Sequence, residues 1–456
     1  MRLFILSILI FFISNWSIAQ NDKTSSINKL KCSKYISDGI EKYNVGRTFD
    51  AFMLFKQAIN ADPKSWKGYY WLSTTEFDLN NFTDAKSDID MALDLSKEKS
   101  DGEVLYLAAK IYQNLNLIEE SLVFFKKSKE LLGERNAKEF EIPSSIAQCE
   151  FALNEAKNGV KNIRKQLSVN TKYDEYGPIL FDKGKKMIFT ARQSETTGGN
   201  LNPEDQLFFE DIYYAEKDTI SGEYSLVPEL MEGINTEGFD ALNYVSRDGL
   251  YALGTVNTSA SKEKTTQSSD LFEMTADEPG VFAGMEIIKS KSINTSFFEG
   301  AACITDTLYI DEDNFFQTLY FVSDKNATKK MTDIYYVEKK NGIFSEDVKI
   351  LPDLINTTGR ETTPFISRDG RFLFFSSDAL PGMGGYDIYY SENVGGKWGA
   401  PINLGAAFNT ANDDTHFQLY TELNKAVLAG ISEKDGVFNY NLFEVDLTGL
   451  EFPFLK

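Results

Sequence analysis

Apolar positions follow three different rules along the chain. Leu3 to Ile13 is an unbroken apolar run behind Arg2. The next stretch repeats with a period of 34: Ala51, Phe55 and Ala58 return as Ala85, Ile89 and Ala92, then as Ser121, Phe125 and Ser128 with a two-residue slip. Gly39, Ser73 and Ala109 stand earlier in each unit, where two helices must approach closely, and Pro63 ends the first unit. The pattern predicts paired helices joined by tight turns. One such pair cannot bury its own apolar face, whereas a stack of pairs can. A further helix or pair, Pro143 to Lys157, is expected to cap the stack. The stack leaves a concave groove with Tyr43, Asn44, Lys67, Tyr70 and Asp78 at groove-facing positions. Such a groove suits a peptide, and a stack of this size equally suits a spacer or docking module.

From residue 160 the apolar runs shorten and are bounded by turn residues, which reads as strands. Asn-Thr recurs at 170, 235, 294, 356 and 409, at intervals of 65, 59, 62 and 53 residues. A second marker keeps phase with it: Asp211-Ile212-Tyr213-Tyr214, Asp270-Leu271-Phe272, Asp333-Ile334-Tyr335-Tyr336, Asp387-Ile388-Tyr389-Tyr390 and Asn441-Leu442-Phe443. Each unit reads as four strands. Ser246-Arg247-Asp248-Gly249 and Ser367-Arg368-Asp369-Gly370 are hairpin turns, since glycine accepts positive φ at low cost. Units three and five lack that turn. Second strands such as Phe372-Leu373-Phe374-Phe375 are continuously apolar, so the sheet is covered on both faces, as in blades stacked around an axis. Five units predict a five-bladed β-propeller of four-stranded antiparallel blades behind an N-terminal α-helical solenoid. Val160 to Ser168 stands where a fourth strand belongs and is expected to close the ring on the last blade.

Composition narrows the function. Hydrophobic residues make up 42%, charged residues 25% and aromatics 13%, which suits a globular, β-rich chain. A net charge of −21 argues against nucleic acid as a partner. Arg2, the apolar run and Ser17-Ile18-Ala19 read as a signal peptide cleaved before Gln20. About 11 apolar residues are too few to span a bilayer. Cys32 lies well past the run, so lipid anchoring is not expected; a Cys32–Cys149 bridge remains open, and Cys303 stands apart. Chemistry is scarce. His416 is the single histidine, read as a blade residue. Gly382-Met383-Gly384-Gly385-Tyr386-Asp387 lies between strands and reads as a tight loop. Asp311-Glu312-Asp313 and Asp413-Asp414 lack the spacing of a calcium loop. No metal or cofactor is expected. The loops Gln193 to Glu210 and Asn257 to Ser269 are long and share a face with the Asn-Thr connections, a usual place for recognition.

The 34-residue units resemble tetratricopeptide repeats, over about residues 32–133. The string Pro364 to Leu404, with Ser-Arg-Asp-Gly, Phe-Ser-Ser-Asp, Gly-Gly-Tyr-Asp-Ile-Tyr-Tyr and Trp-Gly-Ala-Pro-Ile-Asn-Leu-Gly, resembles the WD40-like repeats of periplasmic, TolB-type propellers. The combination resembles exported proteins of Bacteroidetes-type bacteria that often end in an OmpA-like peptidoglycan-binding domain, several of which serve type IX secretion and gliding. This chain stops at Lys456, after the fifth unit, so wall anchoring through such a domain is not implied. The expected organisation is signal peptide 1–19, linker 20–31, helical repeats 32–159 and propeller 160–456. The expected protein is a non-enzymatic periplasmic scaffold or adaptor, associated with the outer membrane, that binds other envelope proteins. The alternative is a propeller that binds a small ligand or glycan; a basic or aromatic funnel in its channel would favour that alternative. A hydrolase of the prolyl-peptidase type is a distant third, since no α/β domain follows the propeller.

Overall fold

The computed structural model describes residues 25–96, 101–227, 233–260, 268–282, 284–311, 313–326, 331–434 and 436–456. The expected signal peptide and its cleavage site lie outside them, as do residues 261–267 of the second long loop. By internal contacts the chain forms two compact units: Met1–Tyr112 with Val123–Ala137, and Gln113–Leu122 with Lys138–Lys456.

The first unit is built of helices. α1 spans 25–44, followed by α2 (Thr48–Ala61), α3 (Trp66–Asp78), α4 (Phe82–Ser96) and α5 (Gly102–Asn114), and by most of α6 (Ile118–Glu139). The 34-residue periodicity marks the buried face: Ala51, Phe55, Ala58, Ala85, Ile89, Ala92 and Phe125 are fully buried. The small residues fall at the crossings. A Cβ on Gly39 would meet the Phe55 ring at 2.4 Å, and the Ser73 hydroxyl donates across to the Ala85 carbonyl at 2.8 Å. Ser65 caps α3 by accepting from Gly68 N. α6 kinks at Gly133, whose φ is 73°.

The second unit carries five antiparallel sheets. Blade one runs Glu175–Phe181, Lys186–Ala191, Asp211–Lys217 and Tyr224–Leu226. The first strands of blades two to five are Phe239–Val245, Glu299–Ile304, Glu361–Ile366 and Asp414–Tyr420. The continuous apolar second strands are explained by packing. In blade one Ile188 faces blade two, beside Leu242 and Ala252, while Met187 and Phe189 face blade five, beside Val427 and Leu442. In blade four Leu373 and Phe375 face blade three, and Phe372 and Phe374 face blade five. The ring closes as the sequence predicts: Lys165–Gln166 pairs with Glu444 and Phe443, giving blade five its outer strand. Hairpins without Asp-Gly are built differently. Blade three extends its turn, with Leu308 and Tyr309 paired to Phe316 and Phe315; blade five turns through Thr421–Leu423, with Asn424 in the left-handed region.

α7 (Ile142–Lys157), expected to cap the helical stack, is grouped with the propeller. Its Gln148 amide donates to the Asp378 carbonyl at 3.1 Å, and Ala406 N donates to Glu155 at 3.2 Å. Cys32, Cys149 and Cys303 are all buried thiols. No helix among the described residues is long and apolar enough to cross a membrane.

Candidate functional site

Of the five residues expected to face a groove, α1 and α3 bring together Tyr43, Tyr70 and Asp78. The Tyr43 hydroxyl donates to Asp78 Oδ2 at 2.6 Å. Tyr43 and Tyr70 both sit edge-on to Trp71, with ring centroids 5.8 and 5.4 Å apart. Burial, then Asp78, pushes the Tyr43 phenol well above its usual range. Burial pushes Tyr70 up to about 12, helped by Glu103 and Asp101. Both phenols are therefore neutral donors at any physiological pH. Lys67 is exposed, its ammonium 5.6 Å from the Trp66 ring centroid, and Asn44 is exposed at the end of α1.

In the propeller the Asn-Thr dipeptide is a joint between blades. Each asparagine side chain clamps the backbone of one residue in the preceding blade's third strand. Asn235 accepts from Ile212 N at 2.8 Å and donates to Ile212 O at 3.0 Å. Asn294 does the same to Leu271, Asn356 to Ile334 and Asn409 to Ile388. Asn170 does it to Leu442, sealing the ring. Each threonine donates its N–H and hydroxyl to the acid four residues on: Glu175, Asp240, Glu299, Glu361 or Asp414. Those five carboxylates are fully buried, one at the start of each first strand. Four of them accept a further bond from neighbours that differ by blade: Gln193, Ser323 and Ser377 donate to the Oε1 of Glu175, Glu299 and Glu361 that also takes the threonine hydroxyl, and Arg164 donates to the second oxygen of Asp414. The second oxygen of Asp240 has no partner among the described residues. The acid in the repeat was missed by the sequence analysis, although its constant spacing from Asn-Thr made it findable.

Burial raises several of these acids, Glu361 to about 7 and Asp240 to about 6. A folded pKa above the unfolded one stabilises the fold at low pH, and that contribution is lost as pH rises through about 7. Glu361→Gln keeps an acceptor for Thr357 and removes the titration. It is expected to be more stable than the parent by about 1–2 kcal/mol at pH 8 and not at pH 5. Urea unfolding at both pH values reads this directly, and identical pH profiles would exclude Glu361 as the titrating group.

The channel narrows where the first strands bulge. Ala301, Thr363 and His416 occupy the bulge in left-handed conformation, with φ of 46°, 46° and 53°, and Gly177 at 62°. The imidazole packs against Gly177: its Cδ2 would lie in ordinary contact, 3.6 Å, from a Cβ there. His416 Nδ1 is 2.9 Å from Thr415 Oγ1, and the His416 backbone N–H donates to Thr363 Oγ1. Burial lowers its pKa to about 4, so the ring is neutral at pH 7. A waist of about 20 Å³ remains, room for roughly one water. Beyond it the channel widens to a funnel of about 530 Å³ on the face of the Ser-Arg-Asp-Gly turns.

The loop at 193–210 is folded down. Arg192 makes a bidentate pair with Asp205 at 2.9 and 3.1 Å and donates to the Phe208 carbonyl. Asp211, the recurring acid of the second marker, accepts from Thr196 and Thr197. Asp387 does the equivalent in blade four, holding Met383 N and Gly384 N, so the glycine-rich stretch is a tight loop. A cavity of about 800 Å³ lies beside the 193–210 loop, lined by Lys172, Tyr173, Glu195 and Tyr213 among others. The acidic pairs are used internally: Asp413 accepts from Tyr386 N and the Tyr440 hydroxyl, and Asp311 accepts from Asn314 and Asp313 N. Glu312 lies outside the described residues, and no group of three or more metal-ligating side chains occurs among them.

These features define a class: a tetratricopeptide-like helical array followed by a five-bladed β-propeller. No protein-family model matches the chain, and no curated protein does. Among solved structures, the helical part is similar to the first TPR domain of human RPAP3, at 19% identity over 28% of this chain and 98% of that one, TM-score 0.26. It is similar to YrrB, described as a TPR protein with an unusual peptide-binding site, at 20% identity over 27% and 62%, TM-score 0.23. It is also similar to the Yersinia enterocolitica translocator chaperone SycD, at 14% identity over 26% and 92%, TM-score 0.24.

Proposed function

We propose that the protein is an exported, non-enzymatic scaffold that binds other envelope proteins in the periplasm, in an outer-membrane assembly of the type IX secretion or gliding kind. The observation that carries the binding role is the Tyr43–Tyr70–Asp78 cluster. Two neutral phenols, an exposed lysine and an exposed asparagine sit on adjacent helices, with Trp71 fixing both rings. Rigid aromatic anchors with polar tips are what protein interfaces use. The Arg192-braced loop offers a second preformed surface. The setting rests on the resemblance of the propeller repeats and on the signal-like start of the chain.

Affinity capture from the native envelope tests the reading. A Tyr43→Ala, Tyr70→Ala double variant is expected to lose at least tenfold in recovery of a groove partner, with its helical circular dichroism unchanged. Shortening residues 193–210 is expected to remove a different partner. The recovered bait should begin at Gln20. If neither change alters which proteins are captured, both surfaces are wrong.

A further inference from the structure

The funnel holds two arginines whose side chains take no part in holding their own turns. In each Ser-Arg-Asp-Gly turn the serine hydroxyl donates to the aspartate at 2.6 Å. The aspartate then accepts from Leu250 N or Arg371 N, and the serine oxygen accepts from Tyr251 N or Phe372 N. Gly249 and Gly370 take positive φ, 72° and 68°. The arginine side chain does nothing in either turn. Yet Arg247 of blade two and Arg368 of blade four reach the same atom, Glu422 Oε1 of blade five, at 2.8 and 2.6 Å. The funnel wall between them carries Phe181, Tyr244, Phe365 and Tyr420.

We infer that the funnel binds the C-terminal carboxylate of a peptide, seated between Arg247 and Arg368 in place of Glu422, with the terminal apolar side chain against the aromatic wall. Three observations carry this. A guanidinium has five donors, and Glu422 takes one ion-pair contact from each arginine, so both retain capacity for the two-oxygen geometry a carboxylate offers. The His416 waist makes the funnel blind, so a chain end enters and a through-running segment does not. The rim charges are Lys183, Arg247 and Arg368 against Asp182, Asp306 and Glu422. They balance while Glu422 is in place, and a single carboxylate restores the balance when it swings out. Glu422 is free to do so: it sits on a short turn with its side chain 39% exposed.

The test uses the full chain and two probes, acetyl-Gly-Phe as the free acid and as the amide, read by titration calorimetry. The acid is expected to bind and the amide to bind at least tenfold more weakly. Arg247→Ala and Arg368→Ala are each expected to weaken the acid at least tenfold without moving the unfolding midpoint. Glu422→Gln is expected to tighten it severalfold, an effect a purely structural ion pair does not predict. Equal binding of acid and amide overturns the inference. So does no binding of either, an unchanged affinity in the arginine variants, or a Glu422→Gln protein that binds no more tightly. Displacement of the acid by an equal concentration of inorganic phosphate also overturns it, by showing a general anion site. The probe and the envelope capture read different surfaces, so either proposal can fail alone.

Discussion

Replacing Arg164 by alanine is expected to destabilise the propeller by about 3–5 kcal/mol at pH 8, the usual cost of leaving one member of a buried pair alone. Arg164 is 6% exposed and its partner Asp414 is wholly buried. The guanidinium also lies 4.2 Å from the Phe443 ring centroid. Gly430 makes room for the pair, since a Cβ there would lie 2.5 Å from Asp414 Oδ1 and 2.7 Å from Arg164 Nη1. Burial already raises the Asp414 carboxyl to about 6, with Arg164 holding it down. Without the arginine its pKa rises further, and the deficit shrinks as pH falls and the carboxyl protonates. Urea unfolding of the full chain at pH 8 and pH 5 measures both effects. A loss below 1 kcal/mol at pH 8 would mean that the outer strand closes the ring without this pair.

Changing Asn170 to aspartate is expected to cost about 3 kcal/mol at pH 8, the penalty for burying an unpaired charge against a carbonyl oxygen. The substitution is isosteric. One oxygen still accepts from Leu442 N, at 2.8 Å in the parent. The other replaces the amide that donates to Leu442 O at 2.9 Å, so a carboxylate faces a carbonyl. The folded-state pKa of the new group lies above its unfolded value. Its penalty is therefore absent at low pH, where the protonated acid donates as the amide did. Asn170→Ala should be milder and independent of pH, because Leu442 O keeps its bond from Leu167 N at 3.0 Å. Calorimetry of the three proteins at pH 4.5 and pH 8 separates the cases. Parallel losses for both variants at both pH values would remove the clamp from the account of ring closure.

The sites differ in how far they could be read in advance. The Asn-Thr repeat is plain in the sequence, but its job is not, because asparagine bonds to a strand that precedes it by more than 20 residues, or for Asn170 follows it by 272. The buried acid was within reach, since its spacing from Asn-Thr never varies. Arg164 was not, since it stands in no repeat and meets Asp414 at a sequence separation of 250. Arg247 and Arg368 were visible as turn residues. Their shared target was hidden, because Glu422 belongs to a blade without that turn. The cluster of Tyr43, Tyr70 and Asp78 followed from helical spacing. Lys67 lies instead by the ring of its neighbour Trp66.

Helical pairing in the first half, strand order in the second and the number of blades all follow from periodicity, because each depends on which residues share a face of one local element. The closing strand was legible for the same reason: a fourth strand was missing at one end and a spare one stood at the other. Three things waited for the tertiary structure. α7 went to the propeller because its hydrogen-bond partners, Asp378 and Ala406, lie far along the chain. The channel waist depends on which bulge residue each blade sends inward. The funnel's charge pairing depends on side chains from three blades converging on one oxygen. Contacts of that kind are set by how separate elements are arranged in space, and a one-dimensional pattern carries no record of them.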